Sequence, residues 1–422
     1  MNRSCFCHTL RPAGAAVLIA VLSACAGSGT RPALGPQLLP APRSPQARIQ
    51  PIGVRRHTAG LGPVVQDALG GDIYGWDINQ TGTDGVLSES LSDNSGLLNA
   101  IETFDESTGK ITKVVQKTQT NDDGPSPVVE AIAGGDVGLV DDQHNFVQSG
   151  KLVRDDKYLE MNPVTRNRIT GKWKPPHTLG LDPNFVTNNQ GSSSEAMVAY
   201  RLTKTDNEQA FLYMYDVGTN TWQKPYLFPR HHVLSENTEY AAIDTQSNVA
   251  AASYQQYRYP FNPNEVPPTF VVFDASTGKL LRKFPGLGQG YVNGMAIDST
   301  TGTMCTTTFG DHYVEFYKVS TGKGFKVQIP ILYSGGPLNG GAAVAVDQVH
   351  HLFIIAQLNS TFSSSGSTVI VYNEKGHLVE YINGFEFLNQ FSAVIPHIAV
   401  NGAKRLGYVN GPGENELQEF TY

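Results

Sequence analysis

The chain carries the phrase Phe104-Asp105-Glu106-Ser107-Thr108-Gly109-Lys110, and it returns twice as Phe273-Asp274-Ala275-Ser276-Thr277-Gly278-Lys279 and Tyr317-Lys318-Val319-Ser320-Thr321-Gly322-Lys323. Looser copies begin at Met161, Tyr215 and Tyr372. In each copy a β-forming residue leads into turn-forming residues, and Gly or Asn can supply the positive φ of a tight turn. The phrase therefore predicts a recurring β-hairpin.

A second phrase of small and apolar residues lies upstream of most copies and ends in Asp or Asn: Ala241-Ala242-Ile243-Asp244, Ala296-Ile297-Asp298, Ala343-Val344-Ala345-Val346-Asp347 and Ile398-Ala399-Val400-Asn401. These runs are continuously apolar, which is typical of strands buried on both faces. We expect them to be inner strands. In residues 121–180, where the repeat is matched most poorly, we expect Gly134–Asp141 to be the inner strand.

The spacing of the turn phrases is 57, 54, 58, 44 and 55 residues, which is close to the length of one four-stranded blade with its loops. We expect an all-β chain folded as a β-propeller of seven four-stranded blades, with six or eight as alternatives. The predicted blades span residues 60–120, 121–180, 181–232, 233–287, 288–334, 335–386 and 387–422. The last has only three strands, so we expect an N-terminal strand, from residues 47–50 or 62–65, to complete it.

At these phrases the chain resembles the seven-bladed propellers of the YVTN-repeat, NHL-like and quinoprotein-like groups. The resemblance spans most of residues 60–422 and implies an architecture. These groups include binding proteins, scaffolds, lactonases and dehydrogenases, so the resemblance does not supply one function.

Residues 1–24 have the layout of a secretory signal, with Arg3 and Arg11 before a short apolar run. The junction Leu22-Ser23-Ala24-Cys25 resembles the bacterial lipobox, which implies cleavage before Cys25 and attachment of lipid to it. Ordinary secretion is the alternative, because Ala24-Cys25-Ala26 also fits an A-x-A cleavage site. We expect an exported lipoprotein of the bacterial cell envelope, periplasmic or on the cell surface, anchored to the membrane through lipid on Cys25.

Residues 25–58 are rich in Pro and Ala and carry five Arg and no acidic residue, which predicts a tether before a single propeller domain over residues 59–422. From residue 59 onward, 24 Lys and Arg stand against 38 Asp and Glu, a net charge of −14. This acidic domain is not expected to bind nucleic acid, and we expect a monomer. Cys305 is the domain's single cysteine, so no internal disulfide can form, and we expect it to be a buried structural thiol.

Propeller ligands usually sit over the central channel, near the start of the inner strands. The candidate residues there are Glu130, Glu239, Asn293, Asn339 and His397. Carboxylate and amide oxygens suit Ca²⁺, and such a set would resemble the gluconolactonase-like propellers. The positions are out of phase between blades, however, and no Asp completes the set. We therefore expect no cofactor, except Ca²⁺ if the chain is a hydrolase.

Two histidine pairs, His231-His232 and His350-His351, could be imidazole ligands, but adjacent residues on a strand point to opposite faces, so we expect turn residues. The chain has no G-x-S-x-G elbow, H-E-x-x-H, P-loop or C-x-x-C. The leading hypothesis is a non-catalytic module that binds a protein, peptide or polysaccharide. One alternative is a metal-dependent lactonase or related hydrolase. Another is a quinone-cofactor dehydrogenase, but the tryptophan-rich docking repeats of that family are missing from a chain with three Trp residues.

Overall fold

The structure is a computed structural model of the chain. It describes residues 55–58, 62, 64–66, 72–78, 84–93, 96–120, 126–133, 137–143, 145–148, 151–154, 159–161, 168–169, 181–188, 195–202, 209–216, 221–222, 226–227, 236–244, 246–256, 267–288, 292–308, 313–330, 341–357, 367–385, 398–410 and 416–422. The predicted signal, Cys25 and most of the predicted tether lie outside these residues. Within them every regular element is a β-strand, and no helix is long and apolar enough to cross a membrane.

Two short strands come first: β1 (Arg55–Thr58) and β2 (Val64–Gln66). Sheet I then contains β3 (Asp72–Ile78), β4 (Asp84–Asp93), β5 (Gly96–Asp105) and β6 (Ile111–Thr120). Sheet II contains β7 (Ser126–Ala133), β8 (Val137–Gln143), β11 (Leu159–Met161) and β12 (Arg168–Ile169), with a separate hairpin of β9 (Asn145–Gln148) and β10 (Lys151–Arg154). Sheet III contains β13 (Leu181–Asn188), β14 (Glu195–Leu202), β15 (Gln209–Asp216), β16 (Thr221–Trp222) and β17 (Tyr226–Leu227).

The second half of the chain repeats the same antiparallel order. Sheet IV contains β18 (Glu236–Asp244), β19 (Val249–Gln256), β20 (Thr269–Asp274) and β21 (Leu280–Pro285). Sheet V contains β22 (Val292–Asp298), β23 (Thr303–Thr308), β24 (Tyr313–Lys318) and β25 (Lys323–Gln328). Sheet VI contains β26 (Gly341–Asp347), β27 (Leu352–Gln357), β28 (Ser367–Asn373) and β29 (Leu378–Phe385), and sheet VII contains β30 (Ile398–Asn401), β31 (Leu406–Asn410) and β32 (Glu416–Thr421).

Sheet VII is completed by the N-terminal strand β2. Val64, Val65 and Gln66 pair antiparallel with Gln418, Leu417 and Glu416 of β32. The closure of the last blade by a strand near residues 62–65 is therefore confirmed. The preceding strand β1 pairs in parallel with β29, so the last four residues of the predicted tether are a fifth strand of sheet VI.

The first strand of each sheet contacts the first strand of the next sheet, in the order β3, β7, β13, β18, β22, β26 and β30. The strand β30 in turn contacts β3, which closes the ring. The chain is therefore an all-β propeller. The described strands form seven sheets of four or five strands and one two-stranded hairpin; the blade number of the whole chain stays a prediction.

The cores lie between neighbouring sheets. One apolar cluster joins sheets IV and V, with Phe270, Phe284 and Tyr317 in mutual ring contact at 5.1–5.5 Å. Further clusters join sheets V and VI, VI and VII, and VII and I. Sheets V, VI and VII each bury both faces against their neighbours, so their inner strands are continuously apolar, as the sequence indicated.

Sheet II corrects one expectation. The segment Gly134–Asp141 is not the inner strand, because β7 (Ser126–Ala133) contacts β3 and β13, whereas Val137–Gln143 is the second strand. The apolar run Val128-Val129-Glu130-Ala131-Ile132-Ala133 is interrupted by Glu130, and this acidic residue hid the inner strand from a search for unbroken apolar runs.

Candidate functional site

The carboxyl-terminal ends of the inner strands carry a repeated Asp or Asn that closes a turn. Asp298 accepts hydrogen bonds from the backbone amides of Thr300 at 2.9 Å and Thr301 at 3.4 Å, and Asp347 accepts them from Val349 at 2.9 Å and His350 at 3.0 Å. Asp244 bonds the amides of Gln246 and Ser247 in the same way, and Asn401 bonds that of Lys404. These Asx turns explain the recurrence of Asp and Asn in the sequence.

The fourth residue after each of these Asp or Asn residues has a positive φ: 53° for Asn248, 61° for Gly302, 58° for His351 and 53° for Arg405. Side chains are rare in this region, where Gly and Asn are the favoured residues. Only two of the four positions hold such a residue, so the geometry of the hairpin, set by the Asx turn, overrides local preference at His351 and Arg405.

Three of the four turn residues also join neighbouring sheets. His351 Nδ1 lies 3.0 Å from Asp298 Oδ2 of sheet V, the Tyr422 hydroxyl donates to Asp347 Oδ2 at 3.1 Å, and Asn401 Nδ2 donates to Glu106 Oε2 of sheet I at 2.7 Å. Asp298 and Asp347 are fully buried. We call this end of the ring, defined by Asp244, Asp298, Asp347 and Asn401, the turn end.

The histidine pair in this region consists of turn residues, as the sequence predicted. His350 Nδ1 lies 2.7 Å from Asp347 Oδ2, whereas His351 Nδ1 contacts Asp298. The two imidazoles therefore bind different carboxylates and do not form one chelating pair. His231 and His232 lie outside the described residues.

A buried polar cluster joins sheets VII and I, where the ring closes. Lys404 Nζ lies 3.3 Å from Glu106 Oε2, and the Tyr408 hydroxyl lies 2.6 Å from the Glu106 carbonyl oxygen and 2.8 Å from Glu419 Oε2. Burial raises the pKa of Glu419, while the Tyr408 hydrogen bond and the charge of Lys404 oppose that shift. Gln418 Nε2 donates to the Gly62 carbonyl at 3.1 Å, which ties the N-terminal segment to the same strand.

The opposite end of the inner strands carries a repeated backbone irregularity. In six of the seven described inner strands the pairing register shifts by one residue near the start of the strand. Each shift is a β-bulge, in which an extra residue is left out of the ladder. The six extra residues are Tyr74, Glu130, Asn184, Glu239, Asn293 and Ala342.

Neighbouring inner strands lie very close at this level. A Cβ atom on Gly294, the residue after the bulge in β22, would lie 2.7 Å from the Val344 nitrogen and 3.0 Å from the Ala343 carbonyl carbon in β26. The equivalent residues of the two sheets are thus side by side. Because every sheet begins with its inner strand and follows the same order, the six bulges occur at one end of the channel, and we call them the bulge ring.

The bulge ring includes three of the five predicted channel-mouth residues. Glu130, Glu239 and Asn293 occupy equivalent positions inside β7, β18 and β22, so the expectation that they are out of phase is wrong. The bulge inserts one residue, which shifts simple strand counting. Asn339, His397 and Cys25 lie outside the described residues.

The sequence analysis did not identify Tyr74, Asn184 and Ala342. A usable signal exists in sheets IV to VI, where the bulge residue precedes the Asp of the turn end by five positions: Glu239 and Asp244, Asn293 and Asp298, Ala342 and Asp347. Counting back from each turn would have found Ala342 in place of Asn339.

Cys305 is fully buried, in agreement with the predicted structural thiol. Burial raises the pKa of its thiol well above the usual value, and the nearby Glu315 adds to this effect. A thiol with a raised pKa is a poor nucleophile. Among the side chains that the structure describes, no group of three His, Cys, Asp or Glu residues is placed to bind a metal ion; those of Glu130 and Glu239 are outside this set.

Comparisons with solved structures identify the fold. The chain is similar to a chain in the crystal structure of the Mitotic Checkpoint Complex (TM-score 0.55, 11% identity, 92% of this chain and 99% of that chain). It is also similar to the Cps50 (Swd1) β-propeller domain of Myceliophteria thermophila (TM-score 0.51, 10% identity, 86% and 99%) and to hydrazine synthase of Kuenenia stuttgartiensis (TM-score 0.55, 11% identity, 85% and 97%). No family model and no curated protein matches the chain. At these identities the likeness shows the propeller fold alone.

Proposed function

We propose that the chain is an envelope-anchored β-propeller that binds a protein, peptide or polysaccharide through the bulge ring, without catalysing a reaction. The observation that carries this proposal is the recurrence of the bulge at the same point of six inner strands. Bulges are common at functional sites, since they re-aim a side chain and interrupt pairing. We infer that a ring of them around the axis frames a concave surface of the kind that ligands occupy.

The residue types of the bulge ring support a binding role. At one backbone position the ring has Tyr, Glu, Asn, Glu, Asn and Ala, whereas the turn end repeats Asp or Asn for a structural reason. Structural demands at equivalent positions select the same residue repeatedly. Variation at a recurring backbone position therefore favours recognition of an asymmetric partner, which needs different contacts around the ring.

Site-specific photo-cross-linking tests this proposal directly. A benzophenone amino acid would replace Tyr74 or Glu239, and the control would replace Lys110, an exposed residue of the outer turn of sheet I. In intact cells we expect covalent adducts from the two bulge positions and none from position 110. Adducts from position 110 alone, or none from any bulge position, would contradict a partner at the bulge ring.

Anchoring rests on Leu22-Ser23-Ala24-Cys25 and the apolar run before it. Two or more acyl chains on Cys25 would give stable membrane attachment, since a single chain binds only reversibly. Mass spectrometry of the membrane fraction should find an acylated N-terminal Cys25. A mature chain that begins at Gly27 without lipid would instead support ordinary secretion.

A metal-dependent lactonase or related hydrolase remains the second candidate, because Glu130, Glu239 and Asn293 occupy equivalent bulge positions. Their oxygen atoms are of the type that binds Ca²⁺, which could polarise a lactone carbonyl. This function requires a divalent ion that raises the melting temperature and a hydrolysis that Glu239→Gln abolishes. A melting temperature unchanged by EDTA would remove this candidate and leave the binding function in place.

A further inference from the structure

The outer strands of sheets IV and V form an exposed basic surface. In the described residues between 279 and 328, the exposed charged side chains are six Lys and Arg residues and no Asp or Glu. The two acidic residues described there, Asp298 and Glu315, are fully buried. We call this surface the basic rim; it consists of Lys279, Arg282, Lys283, Lys318, Lys323 and Lys326.

The basic rim opposes the charge of the domain that carries it. Residues 59–422 have a net charge of −14, so a surface patch whose exposed charges are all positive is unusual for this domain. Among the described residues, two acidic ones border the rim. Asp274 lies in the outer turn of sheet IV, where it accepts hydrogen bonds from Ser276 and Thr277, and Glu374 lies in the corresponding turn of sheet VI.

The outer strands β21 of sheet IV and β25 of sheet V form one continuous surface. The guanidinium of Arg282 in β21 donates to the Thr321 carbonyl of sheet V at 3.2 Å. A Cβ atom on Gly322 would lie 2.8 Å from Phe284 Cδ1 of β21, so the turn of sheet V is packed directly on the outer strand of sheet IV. Lys323 follows that turn and begins β25.

Large apolar side chains are exposed among the basic ones. Leu281 is 50% exposed, Phe325 is 43% exposed and Leu280 is 38% exposed. The equivalent strand β29 of sheet VI differs, since Glu380, Tyr381 and Ile382 are buried and β1 pairs along its outer edge. Among the described strands, none pairs with the outer edge of β21 or β25. These two edges combine positive charge with exposed apolar groups, as surfaces that lie on lipid headgroups do.

The strand β1 lies beside this surface. β1 lies on the outer edge of sheet VI, and Gly376 in the outer turn of that sheet packs against Phe325 and Val327 of β25. The first described residue, Arg55, therefore lies beside the rim next to the basic residues. A membrane that holds the chain through Cys25, as proposed above, would lie within reach of the basic rim.

We propose that the basic rim docks on a bilayer that contains anionic lipid. Lys and Arg contact the headgroups, and Leu280, Leu281 and Phe325 enter the boundary with the acyl chains. In this orientation the propeller stands on its outer edge, so both ends of the channel, including the bulge ring, stay accessible from solvent. The proposal rests on the membrane anchoring proposed above and does not depend on the function of the bulge ring.

Vesicle co-sedimentation tests the proposal. The chain from Ala26 onward, which lacks the lipid-bearing Cys25, would be mixed with phosphatidylcholine vesicles with or without phosphatidylglycerol. We expect sedimentation with the anionic vesicles alone, and release at high salt. Each Lys near such a surface contributes about a fivefold factor, so Lys279→Gln with Lys323→Gln should weaken binding about 25-fold.

A matched control exists within the repeat. Lys110 occupies the same place in its Ser-Thr-Gly-Lys turn as Lys279 and Lys323 and is also exposed, but it lies in sheet I. Lys110→Gln should change binding less than about twofold. Equal loss in the control and the rim variants would overturn the proposal, because binding would then follow net charge and not the rim.

Two further outcomes would contradict docking on lipid. If the chain binds soluble polyglutamate but not anionic vesicles, the rim recognises an acidic polypeptide. If it binds neither, the lysines serve to prevent edge-to-edge pairing of β21 and β25, a common role of Lys on edge strands. Neither outcome bears on the bulge ring, since its adducts are measured separately.

Discussion

The two ends of the inner strands are built from the same repeat but differ in what the repeat preserves. At the turn end, Asp244, Asp298, Asp347 and Asn401 all close turns, and three of them also contact a neighbouring sheet. At the bulge ring the backbone irregularity recurs, but the residue type changes from sheet to sheet. The comparison indicates that the turn end holds the ring together, whereas the variable residue types of the bulge ring fit the recognition role that we propose for it.

The largest expected effect comes from removing a carboxylate at the turn end. Asp347→Ala removes the acceptor for the amides of Val349 and His350, for the His350 ring and for the Tyr422 hydroxyl. Leaving several buried donors without an acceptor should lower the free energy of unfolding by about 4 kcal/mol. Urea denaturation followed by tryptophan fluorescence measures this change.

Its control lies at the other end of another inner strand, β18 of sheet IV. Glu239→Gln in the bulge ring should change the free energy of unfolding by less than about 0.5 kcal/mol. A loss at Glu239 as large as that at Asp347 would break the comparison, because the bulge ring would then be part of the structural framework.

A second prediction concerns the close approach of the inner strands. Gly294→Ala places a methyl group 2.7 Å from the Val344 nitrogen, so the strands β22 and β26 must separate, at a cost of about 3 kcal/mol. Gly302→Ala at the turn end meets nothing within 4 Å, but its φ of 61° costs an alanine about 1 kcal/mol. Thermal unfolding of the two variants should separate the effect of lack of space from that of backbone strain. An equal, small loss of stability in both variants would argue against the close contact of β22 and β26.

A smaller effect is expected from pH at the closure of the ring. Because burial raises the pKa of Glu419, the folded chain keeps a proton that the unfolded chain has released above the ordinary value of 4.5. The free energy of unfolding should therefore fall as pH rises from 4.5 through the folded pKa, and Glu419→Gln should lose this part of the pH dependence.

Urea titrations of the original chain and of Glu419→Gln between pH 4 and pH 8 measure this dependence. If Glu419→Gln keeps the pH dependence of the original chain, the carboxyl of Glu419 does not titrate as its burial implies.

Much of the fold was predictable because short local sequences determine the repeated turns. The phrase ending in Ser-Thr-Gly-Lys gives a turn wherever it occurs, and Gly109, Gly278 and Gly322 all have φ between 64° and 69°. The missing strand of sheet VII was predictable by counting, since three strands leave an unpaired edge. The inner strand of sheet II was harder to predict, because Glu130 interrupts its apolar run.

The candidate site was predictable only in part. A bulge changes the register by one residue without a fixed sequence signal, so Glu239 and Asn293 were found as polar residues near strand starts but not as equivalent positions. Contacts between the last and first sheets, such as that of Asn401 with Glu106, join residues almost 300 positions apart in the sequence. No local pattern encodes such a pairing; it follows from closure of the ring.

Closure of the ring is the central claim, and a designed disulfide tests it most directly. The Gln66 side chain donates to Glu416 Oε1 at 3.0 Å, and the flanking residues pair across β2 and β32. Opposed residues of an antiparallel pair are within the Cα range of a disulfide. In the chain from Ala26 onward, Gln66→Cys with Glu416→Cys should form an intramolecular disulfide in nearly every molecule, whereas Gln66→Cys with Lys110→Cys should not. Thiols that stay reduced in the first variant, or disulfides that only link separate molecules, would contradict the closed ring.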